Sequence, residues 1–105
     1  MLYIIHQRDN PEHSKAIRAA TRPAHFAYLE EHKDILVLGG AMLDDDDETR
    51  IGSVLIINVA DRQAAELFSA NEPFRKAGLF ERVEITRMRR GQWNPDAAPQ
   101  SAEGS

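Results

Sequence analysis

Two apolar runs stand close together in the middle of the chain, at residues 35–38 and 52–59. Residues 39–51 separate them and include a glycine pair and an acidic loop, which holds Asp44 to Asp47 and Glu48. Each run has the length and the aliphatic, β-branched content that are typical of a buried strand. The pattern therefore predicts a β-hairpin with an acidic tip in the middle of the sequence.

The segment before the hairpin predicts a strand and then a helix. Residues 2–6 are short, β-branched and aromatic, as a strand requires. Because proline is tolerated in the first turn of a helix but not in its interior, the proline at position 23 predicts a helix that begins near Arg22, with Thr21 as its cap. Residues 12–21 then form a short helical turn or a loop. The helix is expected to end near His32 or Lys33.

The segment after the hairpin repeats that order. Asp61 is placed to cap a second helix, which ends where Pro73 follows a polar pair. A further short helical turn is expected to end at Gly78. Residues 80–88 alternate between apolar and polar side chains, which predicts a half-buried strand.

The resulting order is strand, helix, strand, strand, helix, strand. It predicts an α+β fold of the ferredoxin-like βαββαβ type, with one antiparallel sheet and the helices on one face. The other face would be left bare, so a homodimer is expected. We assign the domain to residues 1–93. Residues 94–105 are rich in Pro, Ala, Ser, Gly and Gln and predict a disordered tail.

Composition narrows the possible functions. A chain of 105 residues is expected to form a single domain, and its net charge of −4 argues against a nucleic-acid partner. There is no cysteine, which excludes disulfides and thiolate nucleophiles. No apolar run is long enough for a membrane span, and the first residues resemble a strand rather than a signal peptide. These features predict a cytoplasmic protein without a membrane partner.

Several sequence pieces together resemble one family of small bacterial proteins. They are LYII at the start, RPAH at residues 22–25, ILVLGGAML at 35–43, IGSVLII at 51–57 and ANEPFRKAGLFERVEI at 70–85. This set is similar to the YciI-like (YCII-related) family. The resemblance implies a ferredoxin-like fold of the dimeric α/β-barrel group. One branch of the family is associated with dehydrochlorination of chlorinated hydroxyquinol-type aromatics, which implies lyase chemistry.

The resemblance also implies an active-site pair of a histidine and an aspartate. The histidine corresponds to His25, and the acid corresponds to Glu72, which stands before the proline where the family has aspartate. The carboxylate is thus one methylene further from the backbone. Histidine exchanges protons near neutral pH, and a carboxylate on one ring nitrogen holds the tautomer and stabilises the imidazolium. Two alternatives remain open: a capping or surface histidine, and a solvated acid before a helix.

Three further residues are candidates for substrate binding. Arg22 opposes the dipole of the predicted helix start, so a role in holding a carboxylate or phenolate is considered beside that of an ordinary surface arginine. Ser53 could offer its hydroxyl to the same cleft or be a plain strand-edge serine. His6 could point into the pocket or be a buried, hydrogen-bonded histidine.

No metal or cofactor is predicted. The four histidines show no helical i, i+4 pair, and the acidic loop lacks the alternation of a calcium-binding loop. The glycine pair is followed by no lysine at the spacing of a phosphate loop.

The first functional hypothesis is therefore a small enzyme in which His25 acts as general base on a small organic substrate. The alternative is a non-catalytic module that binds a small ligand in the same cleft. A third class, an interaction protein that uses the bare sheet face, would leave the cleft empty. Whether the chain is an enzyme stays open at this point.

Overall fold

The computed structural model describes residues 1–46 and 48–104, so Asp47 of the acidic loop lies outside the described part. The elements follow in the order β1 (Leu2–Asp9), α1 (Ser14–Glu31), β2 (Leu36–Leu43), β3 (Arg50–Asn58), α2 (Arg62–Ala70), α3 (Pro73–Lys76) and β4 (Phe80–Met88). The predicted strand and helix order is confirmed, and the fold is ferredoxin-like.

The four strands form one sheet in the order β2-β3-β1-β4, and every neighbouring pair is antiparallel. The predicted central hairpin is present, with Ala41 opposite Ser53 and Gly40 opposite Val54. The first strand lies between β3 and β4, so it is shielded on both edges.

One face of the sheet carries the core. Side chains alternate along β1, so that Tyr3, Ile5, Gln7 and Asp9 are buried beneath the helices. The core cluster consists of Tyr3, Ile5, Leu55, Ile57, Ala65 and Phe68. The opposite face of the sheet has no helix on it among the described elements, and the even-numbered side chains of β1 lie there.

Helix α2 begins where the sequence predicts. The Asp61 carboxylate accepts a hydrogen bond from the Ala64 amide at 2.8 Å, which satisfies one of the free N–H groups of the first turn. Ala65 and Phe68 lie on its buried side. The helix is thereby fixed against the sheet at both its cap and its apolar side.

Helix α1 differs from the prediction. It begins at Ser14 rather than near Arg22, so Thr21 is no cap and Pro23 lies inside the helix. Pro23 and Ala19, whose carbonyl loses its helical donor, are both exposed. Water can therefore hydrogen-bond that carbonyl, which reduces the usual penalty of an interior proline. The predicted end is confirmed, because the helix stops at Glu31 and its last carbonyls meet the amide of His32.

The short helix α3 follows directly on α2. Glu72 is its N-cap, and its side chain accepts a hydrogen bond from the amide of Arg75. Gly78 has a φ of 80°, a conformation that suits glycine and ends the helix as predicted. This turn passes the chain into β4.

The C-terminal residues lie apart from the domain core. Pro95–Ala97 forms an exposed single turn of 3-10 helix. The disordered tail over residues 94–105 stays a prediction. Within residues 1–46 and 48–104, no helix is long and apolar enough to cross a membrane.

Candidate functional site

A cleft of about 250 Å³ lies between α1 and the strands β2 and β3. Its walls are apolar on several sides and carry basic groups at one end. The lining residues are Arg18, Arg22, His25, Phe26, Leu29, Leu36, Gly39, Gly40, Ala41, Arg50, Ser53, Leu55 and Phe74. The cleft therefore offers an apolar space beside a proton-exchanging group and several cations.

Helix α1 supplies one wall through a stripe of regularly spaced residues. Arg18, Arg22, His25 and Leu29 are separated by four, three and four positions, which places them on one helical face. The sequence prediction missed Arg18 because it started the helix near Arg22. An uninterrupted helical reading through Pro23 would have put Arg18 on the same face as His25.

His25 contacts Glu72 from the neighbouring helix. Its Nδ1 atom lies 2.5 Å from Oε1 of Glu72, and the Glu72 side chain is 1% exposed. Oε2 of Glu72 accepts the amide of Arg75 at 3.2 Å, so both carboxylate oxygens are engaged. The alternative of a solvated acid at position 72 is wrong. Since a carboxylate only accepts hydrogen bonds, Nδ1 carries the proton and the lone pair of the neutral ring lies on Nε2.

Aromatic rings hold the imidazole of His25 in place. It stacks on Phe74 with a centroid distance of 4.0 Å and an interplanar angle of 21°, and it lies 5.6 Å from the ring of Phe26. The side chain of His25 is 15% exposed and borders the cleft. The alternative of a surface or capping histidine is also wrong, because His25 lies inside α1 and is largely buried. The Nε2 edge is therefore the part of the ring that a ligand could contact.

Arg18 borders the cleft and is buried with Asp9. Arg18 Nε donates to Asp9 Oδ2 at 3.1 Å, and its Nη2 donates to both carboxylate oxygens at 2.9 Å. The guanidinium also lies over the ring of Phe74, 5.2 Å from its centroid. Arg18 thus ties α1 to the end of β1. No local sequence signal connects Asp9, which reads as turn chemistry, to this pair.

Ser53 lies in the cleft wall on β3, where the sequence expectation placed it. Its Oγ accepts a hydrogen bond from Gln7 Nε2 at 2.9 Å, so its own hydroxyl proton can be donated to a ligand. Gln7 is 2% exposed, and its Oε1 has no hydrogen-bond partner within the described residues. Gln7 was not among the sequence candidates because the predicted strand ended at residue 6; extending the alternation of Tyr3 and Ile5 by one step would have placed it on the buried face.

The other two substrate-binding candidates, Arg22 and His6, lie in different places relative to the cleft. Arg22 borders the cleft from the middle of α1, so the expectation that it sits at a helix N-terminus is wrong. His6 is exposed on the face of the sheet opposite the cleft. Both interpretations of His6 are corrected: strand alternation turns its side chain away from the helices, so it is neither in the pocket nor buried.

Tyr28 lies behind the pair of His25 and Glu72. Its hydroxyl donates to the carbonyl of Phe68 at 2.8 Å. Burial raises the pKa of Tyr28, and the negative charges of Glu72 and Glu31 raise it further. Tyr28 is therefore a hydrogen-bond donor that joins α1 to α2 rather than an acid of the cleft.

The described residues contain no group of three or more histidine or acidic side chains that could hold a metal ion. The chemistry that the cleft offers is thus proton exchange at His25, hydrogen bonding at Ser53 and attraction of anions by arginines.

Comparison with solved structures places this geometry among known proteins. The chain is similar to a 5-chloro-2-hydroxyhydroquinone dehydrochlorinase from Burkholderia phenoliruptrix, solved in complex with 2,5-dihydroxybenzoquinone, with 35% identity and a TM-score of 0.77 over 87% of this chain and 96% of that chain. It resembles an antibiotic biosynthesis monooxygenase in fold alone, with 18% identity and a TM-score of 0.51 over 88% of this chain and 100% of that chain. No curated protein matches the chain.

The family comparison covers almost the whole domain. The profile of the YCII-related domain matches residues 1–89, which include every lining residue of the cleft. The resemblance inferred from the sequence pieces is confirmed: this chain belongs to the YCII-related domain family.

Proposed function

We propose that this protein is a small lyase that catalyses dehydrochlorination-type elimination on a hydroxylated aromatic ring. The observation that carries the proposal is the contact between Nδ1 of His25 and the buried Glu72, beside a cleft that the same imidazole borders. The similarity to a dehydrochlorinase over most of both chains supports the reaction class.

His25 is the general base in this reaction. Nε2 first moves a proton from a ring hydroxyl to the carbon that carries chlorine: the electron pair of the O–H bond becomes a C=O bond, and the chlorine-bearing carbon becomes tetrahedral. Nε2 then takes the proton of a second ring hydroxyl, whose electron pair forms a second C=O bond. A ring C=C bond shifts onto the chlorine-bearing carbon as chloride leaves with the electrons of the C–Cl bond, which yields a quinone. Hydrogen chloride is lost and no oxidant is consumed. Glu72 holds the tautomer and stabilises the imidazolium as it forms. Ser53 donates its hydroxyl proton to an oxygen of the substrate.

The size of the cleft supports a single-ring substrate. An apolar cavity of about 150 Å³ is enough to hold benzene in other proteins. The cleft here measures about 250 Å³, which leaves room for ring substituents. Phe26, Leu29 and Leu55 provide the apolar contacts that a ring needs.

The direct test is chloride release from 5-chloro-2-hydroxyhydroquinone under anaerobic conditions, followed with a chloride electrode. We expect turnover by the wild type and a loss of at least about 100-fold in His25→Gln, because a positioned base typically contributes that much. Glu72→Gln should reduce the rate by a smaller factor. The matched control is His13→Gln, which makes the same change at a 77% exposed side chain outside the cleft and outside the bare face of the sheet, and should retain the rate.

Other outcomes point to the competing function. If the wild type binds 2,5-dihydroxybenzoquinone but releases no chloride, the protein is a non-catalytic binding module of the same fold. Equal rates in the wild type and His25→Gln would remove His25 from the mechanism.

We further propose that the protein is a homodimer joined through the bare face of the sheet. Leu2, Ile4, Val54 and Ile56 alternate onto that face and are only half-buried, and Leu38 there is 65% exposed. A continuous apolar strip of this kind is rarely left to water. Sedimentation analysis of the wild type and of Ile56→Lys tests this, since the lysine should yield monomers. A monomeric wild type would contradict the proposal.

A further inference from the structure

We propose that the preferred substrate is a hydroxylated aromatic ring that also carries a carboxylate, and that Arg18, Arg22 and Arg50 bind this carboxylate where the cleft meets a second cavity. This inference rests on the proposed function, because it extends the same site. It adds a second contact point, separate from the base, that selects acidic aromatic compounds over neutral ones.

A second cavity of about 470 Å³ adjoins the cleft. The two share Arg18, Arg22 and Arg50, so the three arginines stand between them. The remaining lining residues of the second cavity are Asp9, Ser14, Lys15, Glu48 and Thr49. A ligand that fills the first cavity with a ring can therefore place a substituent against the arginines.

The charge balance of the second cavity favours an anion. Its lining has four cationic side chains and two acidic ones, and the Asp9 carboxylate is already engaged by Arg18. That leaves Lys15, Arg22 and Arg50 against Glu48. The chain as a whole has a net charge of −4. The positive charge in the lining of this cavity is therefore opposite in sign to the net charge of the protein.

The guanidinium of Arg18 provides the independent observation. Arg18 is 6% exposed, and its Nε and Nη2 atoms are used by Asp9. Its Nη1 atom makes no hydrogen bond within the described residues and is not one of their fully buried unpaired atoms, so it is accessible from a cavity. Arg18 borders both cavities. An accessible guanidinium donor of this kind, whose other donors are already fixed by a carboxylate, is positioned to bind an anionic oxygen of a ligand.

The side chains of Arg22 and Arg50 are likewise available to a ligand, and both residues are exposed. The side chain of neither residue makes a hydrogen bond or an ion pair with any other residue in the ranges 1–46 and 48–104. Guanidinium groups bind carboxylates through paired, parallel hydrogen bonds. A carboxylate also stands away from the ring that carries it, which matches an anion site outside the ring cavity. An ionised hydroxyl would stay within the ring cavity.

The test compares two probes of the same shape in calorimetric titrations of the full-length protein: benzoate, which is negatively charged, and benzamide, which is neutral. We expect benzoate to bind at least about tenfold more tightly than benzamide, because hydrogen bonds to charged groups are worth more than neutral ones. Arg22→Gln and Arg50→Gln should each weaken benzoate binding by about tenfold and leave benzamide binding unchanged. Both residues are exposed, so neither change takes apart the buried Arg18 pair.

The matched control is Arg89→Gln, which removes the same charge from an exposed position outside both cavities. It should bind benzoate like the wild type. The proposal is overturned if benzoate does not bind, if it binds no more tightly than benzamide, or if Arg89→Gln weakens it as much as the cleft variants do.

The outcome is independent of catalysis. His25→Gln should keep the preference for benzoate, because the base and the arginines are separate groups. A protein that prefers benzoate but releases no chloride would refute the proposed lyase activity and support the anion site. A protein that releases chloride without that preference would do the opposite.

Discussion

The two long helices cover the same face of the sheet but bury different chemistry. Helix α2 places Ala65 and Phe68 in the core. Helix α1, all of whose residues are described, has a single buried residue, and it is the charged Arg18. Its apolar contacts with the core are confined to the half-buried Tyr28 and Leu29 near its end. One half of the helical layer thus supplies hydrophobic stability, while the other half is held by polar contacts and leaves room for a ligand.

The largest expected effect is a loss of stability when a core side chain of the α2 half is removed, compared with the same change in the α1 half. Phe68→Ala should lower the free energy of unfolding by about 3–5 kcal/mol, because Phe68 is 5% exposed in the core and its removal leaves a cavity. Phe26→Ala makes the same change in the cleft, where the ring is 60% exposed, and should cost less than about 0.5 kcal/mol. Urea unfolding of both variants measures the difference. Similar losses would mean that the α1 half is as tightly packed as the α2 half.

A second prediction compares the ion pairs of the two halves. Asp9→Asn leaves the buried Arg18 without its counter-charge and should cost about 3 kcal/mol, the low end for a broken buried pair, because Arg18 also borders the cleft. Glu66→Gln breaks the exposed pair of Arg62 and Glu66 on α2 and should cost about 0.3 kcal/mol. Thermal and urea unfolding provide the measurement. An Asp9→Asn loss as small as the Glu66→Gln loss would show that α1 does not depend on its buried charge pair.

The smallest predicted effect concerns Tyr28, which joins the two halves. Tyr28→Phe should cost about 1 kcal/mol at neutral pH through loss of the hydrogen bond to the Phe68 carbonyl. The pKa of Tyr28 is raised in the folded protein by burial first, and then by Glu72 and Glu31. Below the ordinary tyrosine pKa of about 10 the hydroxyl is protonated in both states, so its contribution is fully present there.

Above that pH the unfolded chain ionises first, and stability is lost as the pH rises through the folded pKa of Tyr28. The wild type should therefore lose more stability than Tyr28→Phe between about pH 8 and about pH 10.5. Urea unfolding at both pH values tests this sign. An equal loss in the two proteins would show that the link between α1 and α2 does not respond to ionisation of Tyr28.

The strands and the α2 half were well predicted from the sequence, because each of their signals is local. The alternation along β4 and the carboxylate cap at Asp61 need no knowledge of the remaining fold. The start of α1 was predicted wrongly, since the rule for proline describes an average environment, and the exposure of Ala19 and Pro23 that relaxes it is a tertiary property.

The cleft was only partly predictable for the same reason. Position 25 and position 72 are distant in sequence, and only the packing of α3 beside α1 brings them within hydrogen-bonding distance. Arg18 would have been found from helical spacing if the helix had been extended through Pro23. Gln7 would have been found by continuing the alternation of Tyr3 and Ile5 beyond residue 6. Arg50 had no signal, because the position of a strand's first residue depends on neighbours across the sheet.

The turn that opens α3 carries two of the groups that contact His25. Glu72 supplies the hydrogen-bond acceptor and Phe74 the stacking surface, two positions apart in one turn. The three arginines proposed to choose the ligand lie on α1 and β3. Support of the base and choice of the ligand are thus encoded in separate stretches of the chain. Relatives could therefore diverge towards new substrates by changing the arginine positions while inheriting the turn that holds the base intact.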